Sequence, residues 1–326
     1  MKMFTLFTAL VLGVVLQLPA QTPGTRLPRT ADGHPDLQGI WTNATLTPVQ
    51  RPAAFANKPT LGDAEAKAYE KHELEVNNID NQNAPILVAA GSGSGDTAVG
   101  GYNSLFWDRG SELARVNGIK RTSLIVDPPD GRVPPYTAEA QKRFAAARSA
   151  APVESFDNFQ LRPLSERCLL GFGSTAGPPM LPVYYNGNYQ IIQTPGTIMI
   201  LVEMDHDVRV IRMNGKHISP PVRQWLGDSV GHWDGDTLVV DTTDFRSDTH
   251  FQGSTDRLHV VERFTRLDAK TILYKAVIED PSTFSRPWTM EFPFVSAPGP
   301  IYEYACHEGN YAMTDILGGA KNSEAR

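Results

Sequence analysis

The sequence has no excess of positive charge, little cysteine and no second long apolar run. Its 326 residues carry 30 Lys and Arg against 36 Asp and Glu, which gives a formal charge of -6 at pH 7. Nucleic acids and anionic membranes attract clustered Lys and Arg, so this balance argues against both partners. Hydrophobic residues make up 41% of the chain, enough to bury a large core. We therefore expect a globular protein whose partner is a small molecule.

The one long apolar run lies at the start of the chain. Lys2 precedes a mostly apolar stretch at 4–18, and an imperfect cleavage site, Leu18-Pro19-Ala20, ends it. We interpret 1–20 as a secretory signal peptide and 21–30 as a flexible leader. The alternative, a membrane anchor, is disfavoured because the run is shorter than the roughly 20 residues of a spanning helix. The expected location is secreted or periplasmic, with no stable membrane insertion after processing.

The chain contains two cysteines, Cys168 and Cys306. In an oxidising compartment such a pair is expected to form a disulfide. The bridge would close a long loop, and the loop-entropy model gives a stabilisation on the order of 4–5 kcal/mol. Two alternatives stay open at this level: a catalytic thiol at Cys306 beside His307, or two buried reduced cysteines.

Two familiar active-site motifs are missing. There is no G-x-S-x-G elbow, so Asp228, Ser229 and His232 do not make a recognisable serine triad. The glycine-rich stretch at 91–101 lacks the G-x-x-x-x-G-K-[ST] form of a phosphate-binding loop. It is predicted to be a flexible loop.

The sequence also lacks H-E-x-x-H and paired C-x-x-C motifs, so no cofactor is predicted. A zinc or iron site built from imidazoles and a carboxylate remains an alternative. Its candidate ligands are His206, His232, His250, His259 and His307. The other histidines, His34, His72 and His217, are interpreted as bystanders in loops or on a surface helix.

From residue 184 onward the chain contains a series of short strands with turns between them. The clearest is GHWDGDTLVVDT at 231–242, in which Asp234-Gly235 predicts a two-residue hairpin turn of type I′. Residues of two different faces alternate after that turn, as in a strand. The other predicted strands are 188–194, 197–204, 207–213, 257–266, 271–279 and 286–295.

Strands at this spacing favour a barrel or a sandwich. Trp41, near the start of the mature chain, belongs to a G-x-W triplet that resembles the first strand of lipocalins. In that group the tryptophan plugs one end of an antiparallel barrel, and an arginine near the last strands packs over it. The resemblance implies that role for Arg263, Arg266 or Arg286.

We therefore predict a mainly β protein: a lipocalin-like antiparallel barrel, or closed meander, with a long and partly helical insertion. One domain spans 31–326, and the insertion occupies about 45–180. Within it, a polar helix is predicted from Thr60, and Thr137 is predicted to cap a second helix that ends at Ser149.

Almost the whole mature chain is similar to a large group of exported, largely uncharacterised bacterial proteins. That resemblance implies membership, but it brings no activity, cofactor or catalytic residue that can be transferred to this sequence. The strings that carry it are HPDLQGIWT, TSLIVDPPDGR, ERCLLGF, RQWLGDSVGHWDGDTLVVDTTDF, LHVVERFTR and YEYACHEGNY.

Three clusters concentrate polar side chains, and the first, 203–207, lies at a turn between two predicted strands. Glu203 shares a strand face with Met199 and Leu201, which predicts a carboxylate pointing into an apolar interior. Burial of this kind raises the pKa of a carboxyl and makes a general acid. The alternative is a charge that protects an edge strand from pairing. His206 is a candidate ligand-binding residue in the same cluster.

The second cluster runs from Arg223 to Trp233. His232 beside Asp228 and Arg223 is a candidate acid/base group, because the unperturbed pKa of histidine lies close to neutrality. Trp225 and Trp233 offer flat apolar walls for a ring-shaped ligand. The alternative is that both tryptophans are core residues and that His232 is a satisfied turn residue.

The third cluster, near the end of the chain, consists of Tyr304, His307 and Glu308 around Cys306. A disulfide to Cys168 would hold His307 rigidly, as a functional site requires. The alternative is a C-terminal segment that is stapled for stability alone.

The predicted strand at 257–266 has two contrasting faces. His259, a further candidate ligand-binding residue, shares one face with Arg263, whereas Glu262 lies on the other face between apolar residues. One of these two faces of the strand has to point into the interior.

The leading hypothesis is an exported barrel that binds a small, partly apolar or ring-containing molecule. Proton transfer by His232 with Glu203 or His307 would transform that molecule by hydrolysis, elimination, hydration or isomerisation. Two alternatives are a non-catalytic binding protein and a metal-dependent enzyme that uses the histidines.

Overall fold

The computed structural model describes residues 27–78, 107–149, 156, 158–171, 174–175, 177–248, 251–309 and 311–324. The predicted signal peptide, most of the predicted leader, the glycine-rich stretch at 91–101 and His250 lie outside these residues. Among the described helices, none is both long and apolar enough to cross a membrane.

The described part of the chain forms thirteen β-strands and three α-helices. The strands are β1 (Gly39–Thr42), β2 (Thr60–Leu61), β3 (Arg115–Val116), β4 (Ile119–Arg121), β5 (Ile125–Asp127), β6 (Asn188–Gln193), β7 (Thr197–Val202), β8 (Val208–Met213), β9 (Asp228–Asp234), β10 (Thr237–Thr243), β11 (His259–Arg266), β12 (Thr271–Glu279) and β13 (Trp288–Ser296). The helices are α1 (Asp63–Val76), α2 (Ala138–Ser149) and α3 (Ala312–Glu324).

Nine of these strands, β1 and β6 to β13, form a barrel that closes because β13 pairs with β1. A tenth strand of the same sheet, β5, pairs with β13 beside the ring. The predicted mainly β barrel is therefore confirmed. The segment between β1 and β6 contains two helices and a small sheet of β2, β4 and β3.

An odd number of strands has a direct consequence for the barrel. Strands that alternate up and down around a ring of nine cannot close without one parallel pair. That pair is β8 and β9, where 211–213 lies opposite 229–231, and the other neighbours in the ring are antiparallel. The sequence predicts only antiparallel neighbours, so the parallel pair differs from the predicted barrel. Because β8 and β9 run in the same direction, residues 214–227 must return along the barrel between them.

Aromatic side chains fill the barrel interior. Tyr274 is completely buried, and its ring centroid lies 5.1 Å from Phe264, 5.1 Å from Phe292 and 5.2 Å from Phe294. Aromatic pairs at these distances add stability beyond the burial of their area. The interior is a packed core, so a ligand pocket has to be sought at the barrel surface.

Trp41 is part of this core and lies opposite Ser296, the last residue of β13. Its side chain is 2% exposed, and Nε1 donates a hydrogen bond of 2.9 Å to the carbonyl of Leu37. The guanidinium of Arg266 lies 5.3 Å from the ring centroid of Trp41. Of the three arginines considered, Arg266 therefore takes the position over the tryptophan, whereas Arg263 and Arg286 form ion pairs elsewhere.

The hairpin of β9 and β10 differs from the predicted turn by one residue. Asp234 pairs with Thr237, so Gly235 and Asp236 are the two central residues. Gly235 has a φ of 60°, which fits the first central position of a type II′ turn. Asp236 accepts two hydrogen bonds from Arg29, so the end of the predicted leader contacts this hairpin.

The helices of the insertion agree with the sequence pattern, with one shifted boundary. Helix α1 begins at Asp63 rather than at Thr60, which forms the short strand β2 instead. Helix α2 follows Thr137, whose Oγ1 accepts a hydrogen bond of 3.1 Å from the backbone N–H of Ala140. The predicted cap of α2 is therefore confirmed.

Cys168 and Cys306 form a disulfide across 138 residues. The bridge excludes the catalytic-thiol and reduced-cysteine alternatives in this structure. It ties the irregular segment around 158–171 to the C-terminal segment.

Candidate functional site

The candidate site lies on the outside of the barrel, where the chain returns from β8 to β9. Gln224 in this return forms a parallel bridge with Phe245, just after β10. The backbone N–H of Gln224 donates to the carbonyl of Asp244 at 3.0 Å, and that of Arg246 donates to the carbonyl of Gln224 at 2.9 Å. These bonds fix the return against the segment that follows β10.

His217, in the same return, lies between two carboxylates. Its Nδ1 is 3.1 Å from Oδ2 of Asp228, and its Nε2 is 3.0 Å from Oδ1 of Asp241. Asp228 begins β9, and Asp241 points outward from β10 because Val240 and Thr242 beside it point inward. The bystander role predicted for His217 does not fit this position.

Asp228 is 1% exposed and makes several hydrogen bonds. Arg212 donates to both of its oxygens, at 2.7 and 3.0 Å, and the backbone N–H of Ile218 donates at 3.0 Å. Burial alone would raise the pKa of Asp228, but the bonds from Arg212, Ile218 and His217 outweigh burial and lower it. Asp228 is therefore an ionised carboxylate at neutral pH.

Asp244 completes a triad with His217 and Asp228. One nitrogen or oxygen from each of the three side chains lies within 4.8 Å of the other two. Asp244 has a φ of 56°, a left-handed conformation that aspartate tolerates better than most residues. Its carboxylate accepts a hydrogen bond of 3.1 Å from Oγ1 of Thr243.

His259 extends the row of side chains along the outer face. Its Nε2 lies 3.0 Å from Oδ2 of Asp241, and its Nδ1 lies 3.8 Å from Oε2 of Glu279. The hydrogen bond to Asp241 outweighs burial and raises the pKa of His259, and the same bond lowers the pKa of Asp241. The sequence predicts His259 as a ligand-binding residue, but it does not indicate a role for Asp241.

A pocket of about 440 Å³ adjoins this row and collects part of the second predicted cluster. Arg223, Trp225 and Asp228 all line it, as does Arg246, whose guanidinium lies 5.4 Å from the ring centroid of Trp225. The remaining lining residues are Val208, Arg209, Val210, Arg212, Gln224, Leu226, Gly227 and Ser229.

His232 and Trp233 do not join that pocket. His232 is exposed on the outer face of β9, and Trp233 stacks on His34 at a centroid distance of 4.7 Å. A strand rises about 3.3 Å per residue, so the four steps along β9 from Asp228 to His232 separate them by roughly 13 Å. The predicted grouping of His232 with Asp228 and Arg223 is therefore not observed.

Glu203 is buried, but it does not point into the barrel. Ile198, Ile200 and Val202 form the inward face of β7, so the face predicted to point inward is the outer one. The carboxylate of Glu203 accepts hydrogen bonds of 2.7 Å from Asn188 Nδ2 and 3.1 Å from the backbone N–H of Tyr302. Its contacts hold the C-terminal segment against the barrel.

The first and third predicted clusters meet close to the disulfide. Burial raises the pKa of Asp205, and the nearby His206 and His307 oppose that rise. Burial also raises the pKa of Asp207 to about 6, although Oδ2 of Asp207 accepts a hydrogen bond of 3.0 Å from the backbone N–H of Gly171. The other two candidates of the third cluster do not join these groups. Tyr304 packs against the hydrophobic core, and Glu308 is exposed.

The interior contains a buried ion pair that the sequence indicated only through Glu262. Arg209 donates to both oxygens of Glu262, at 3.0 and 2.5 Å, and the hydroxyl of Tyr274 donates to Oε1 at 2.8 Å. Arg209 and Glu262 are 2% and 0% exposed. Of the two faces of β11, the one with Glu262 is therefore the inward face.

Comparison of the chain with models of protein families, with curated proteins and with solved structures found no match. The chemistry of the site is therefore inferred from its own residues. They form a row of imidazoles and carboxylates on the outer face of the barrel, beside a pocket with a tryptophan and arginines.

Proposed function

We propose that the chain binds a small ring-containing molecule with a negatively charged group, in the pocket beside Trp225. The observation that supports this is the lining of the pocket, in which an indole lies next to Arg223 and Arg246 at a cavity of about 440 Å³. Small-molecule sites usually have volumes of about 300–1,000 Å³, apolar walls and a few polar groups. The indole would pack against the ring, and the guanidiniums would bind the charge.

Exposed valines support an apolar occupant. Val208 and Val210 are 41% and 50% exposed on the outer face of β8, and both line the pocket. Covering a valine side chain contributes up to about 1.5 kcal/mol. A ring lying between these valines and Trp225 would gain from that burial.

The ion pairs of the two outer arginines support an anionic group. Arg223 pairs with Asp256 and Arg246 with Asp248, and all four side chains are between 39% and 47% exposed. Exposed pairs of this kind contribute only about 0–1 kcal/mol. Arg246 could therefore turn toward a bound carboxylate or sulfonate at small cost, whereas Arg223 is also held by hydrogen bonds from Nη1 to the carbonyls of Phe245 and Asp256.

The proposal is for binding: of the predicted catalytic residues, Arg223 and Asp228 line the pocket, but the proton-transfer groups His232, Glu203 and His307 do not. The disulfide between Cys168 and Cys306 supports the further proposal that the chain is exported. The sequence strings described above support its membership of the exported bacterial group.

Two related dyes test the proposal. Anilinonaphthalene sulfonate carries fused rings and a negative charge, whereas phenylnaphthylamine has the same rings without the charge. Fluorescence titration of the full chain should give tighter binding of the sulfonate. Equal affinities for the two dyes would remove the role of the arginines.

Variants locate the binding. Trp225→Ala should weaken sulfonate binding about tenfold, which corresponds to about 1.4 kcal/mol. Arg246→Ala should weaken the sulfonate but not the neutral dye. Arg263→Ala is a matched control, since Arg263 is an exposed arginine in an ion pair with Asp234 elsewhere on the barrel. If Trp225→Ala and Arg246→Ala bind both dyes as the parent does, the pocket is not the binding site.

A further inference from the structure

We infer that His217, Asp228 and Asp244 bind a divalent transition-metal ion, with zinc and manganese as the best-suited class. The potential ligand atoms of these residues lie within 4.8 Å of one another. Ligand bonds of about 2.0–2.2 Å place the donors of one ion up to about 4.4 Å apart. Small side-chain adjustments are therefore enough to close the site around an ion.

The second ring nitrogen of His217 provides an independent argument. With Nδ1 facing Asp228 as the ligand atom, Nε2 carries the proton and donates to Oδ1 of Asp241, 3.0 Å away. Metal-binding histidines almost always donate their other N–H to a carboxylate or carbonyl in this way. Asp241 is itself fixed by His259, whose Nε2 lies 3.0 Å from Oδ2.

The positions of the carboxylates also suit a cation. Arg212 and the backbone N–H of Ile218 hold Asp228 in a fixed orientation. Asp228, Asp241 and Asp244 together outnumber the guanidinium of Arg212, so negative charge remains next to the imidazole. A divalent ion would offset that charge.

The mixture of donors indicates which metal ions fit. Calcium and magnesium prefer sites made only of oxygen atoms, whereas an imidazole with carboxylates suits zinc, manganese or ferrous iron. Three protein ligands leave at least one position for water or another ligand. The side chain of His217 is 30% exposed, so an ion from solvent can reach it.

The proposed ligands differ from those that the sequence suggested. Of the histidines in that hypothesis, His206, His232, His259 and His307 are described in the structure, and none belongs to this triad. His259 is one carboxylate away, through Asp241.

Metal titration of the full chain, purified without a histidine tag and treated with a chelator, tests the inference. Calorimetry with zinc and with manganese should show one ion per chain, and cobalt should give a visible absorption spectrum typical of nitrogen and oxygen ligands. Calcium should bind at least tenfold more weakly than zinc. Absence of stoichiometric binding by the folded parent chain would overturn the inference.

Substitutions assign the ligands. His217→Ala and Asp244→Asn should each weaken zinc binding at least tenfold and change the cobalt spectrum. Asp244→Asn is the milder change, because the structure gives the Asp244 carboxylate one hydrogen bond, from Thr243. His232→Ala is the matched control, since His232 is an exposed histidine of the same barrel face. Unchanged zinc affinity in both ligand variants would overturn the assignment.

Asp241→Asn tests the orientation of His217 without removing a ligand. Loss of such a partner typically weakens metal binding 10- to 100-fold. Trp225→Ala should bind zinc as the parent does, because Trp225 is not part of the triad. The metal site and the dye-binding pocket can therefore fail separately, and a loss of zinc binding in Trp225→Ala would contradict the inference.

Discussion

Asp207 shows how one half-buried carboxyl can make stability depend on pH. Burial raises its pKa from 3.8 to about 6, so the native state holds the proton more tightly than the unfolded chain does. A raised native pKa contributes stability that is fully present below the unfolded pKa and is lost as the pH rises through the native pKa. For Asp207 that loss occurs between about pH 4 and pH 6.

Asp207→Asn should remove this loss, because an amide oxygen can still accept the hydrogen bond from Gly171 without carrying a charge. At pH 7 the free energy of unfolding should exceed that of the parent by on the order of 2 kcal/mol. Urea denaturation at pH 4 and at pH 7 measures the difference, which should nearly vanish at pH 4. A difference of the same size at both pH values would contradict this explanation.

Glu262 differs from Asp207 because its buried charge neutralises a buried arginine, Arg209. Glu262→Gln leaves Arg209 charged and inadequately paired in the barrel core, where both side chains are almost fully buried. The free energy of unfolding should fall by about 3–5 kcal/mol, as it does when one partner of a buried pair is removed.

Replacing both members of the pair provides the control. Arg209→Met combined with Glu262→Leu removes both charges while keeping similar volumes, so it should cost less than Glu262→Gln alone. Denaturant titration of the parent and the two variants compares them. A double variant that is less stable than the single one would show that the pair itself stabilises the barrel.

At the scale of elements, the turn before β9 depends on Gly227. This residue has a φ of 69°, and an added Cβ would lie 2.7 Å from both Cγ2 of Thr242 and the carbonyl oxygen of Thr243. Gly227→Ala should therefore lower the free energy of unfolding by about 2–4 kcal/mol, through left-handed strain and overpacking together.

Gly235 is the matched position, since it has a φ of 60° but open space around its Cα. Gly235→Ala should cost only the backbone strain, about 1–2 kcal/mol. Thermal unfolding of the two variants separates the two contributions. Equal losses would mean that the contacts of Gly227 with β10 have no energetic effect.

Individual strands could be predicted because their side chains alternate. In β10 and β11, burial of Val240 and Glu262 follows the period-2 pattern, which is a local property of the sequence. In β7 the pattern does not show which face points inward, because Met199 and Leu201 on the outer face are as apolar as the inward residues. Because both faces of β7 are apolar, the sequence alone assigns the inward face incorrectly and places Glu203 on it.

The parallel pair could not be inferred from local patterns, because it follows from the number of strands in the closed ring. A signal was present, since 214–227 is too long for a hairpin turn and includes two prolines. The position of His217 depends on where that return lies. Asp241 offered a weaker signal, as the one charged residue of β10, at an outward position among valines, a leucine and threonines.

At the scale of the whole molecule, the disulfide joins segments that are far apart in the chain. Cys168 and Cys306 close a loop across 138 residues, and a crosslink of that span restricts the unfolded chain strongly. Replacing both by serine should lower the free energy of unfolding by up to about 4–5 kcal/mol. Reductant should destabilise the parent by a similar amount and leave the serine variant unchanged. A serine variant as stable as the parent would contradict the entropic account.

The pairing of β1 with β13, which closes the barrel, is the shortest ladder between neighbouring strands of the ring. β1 and β13 are joined through Trp41 opposite Ser296 and Thr42 opposite Val295, whereas β11 and β12 are paired along 259–266. Short ladders open more readily than long ones, and opening exposes amides to exchange with solvent. We therefore expect the barrel to open first between β1 and β13, which would leave an open sheet. Arg266, which lies over Trp41, is next to this opening.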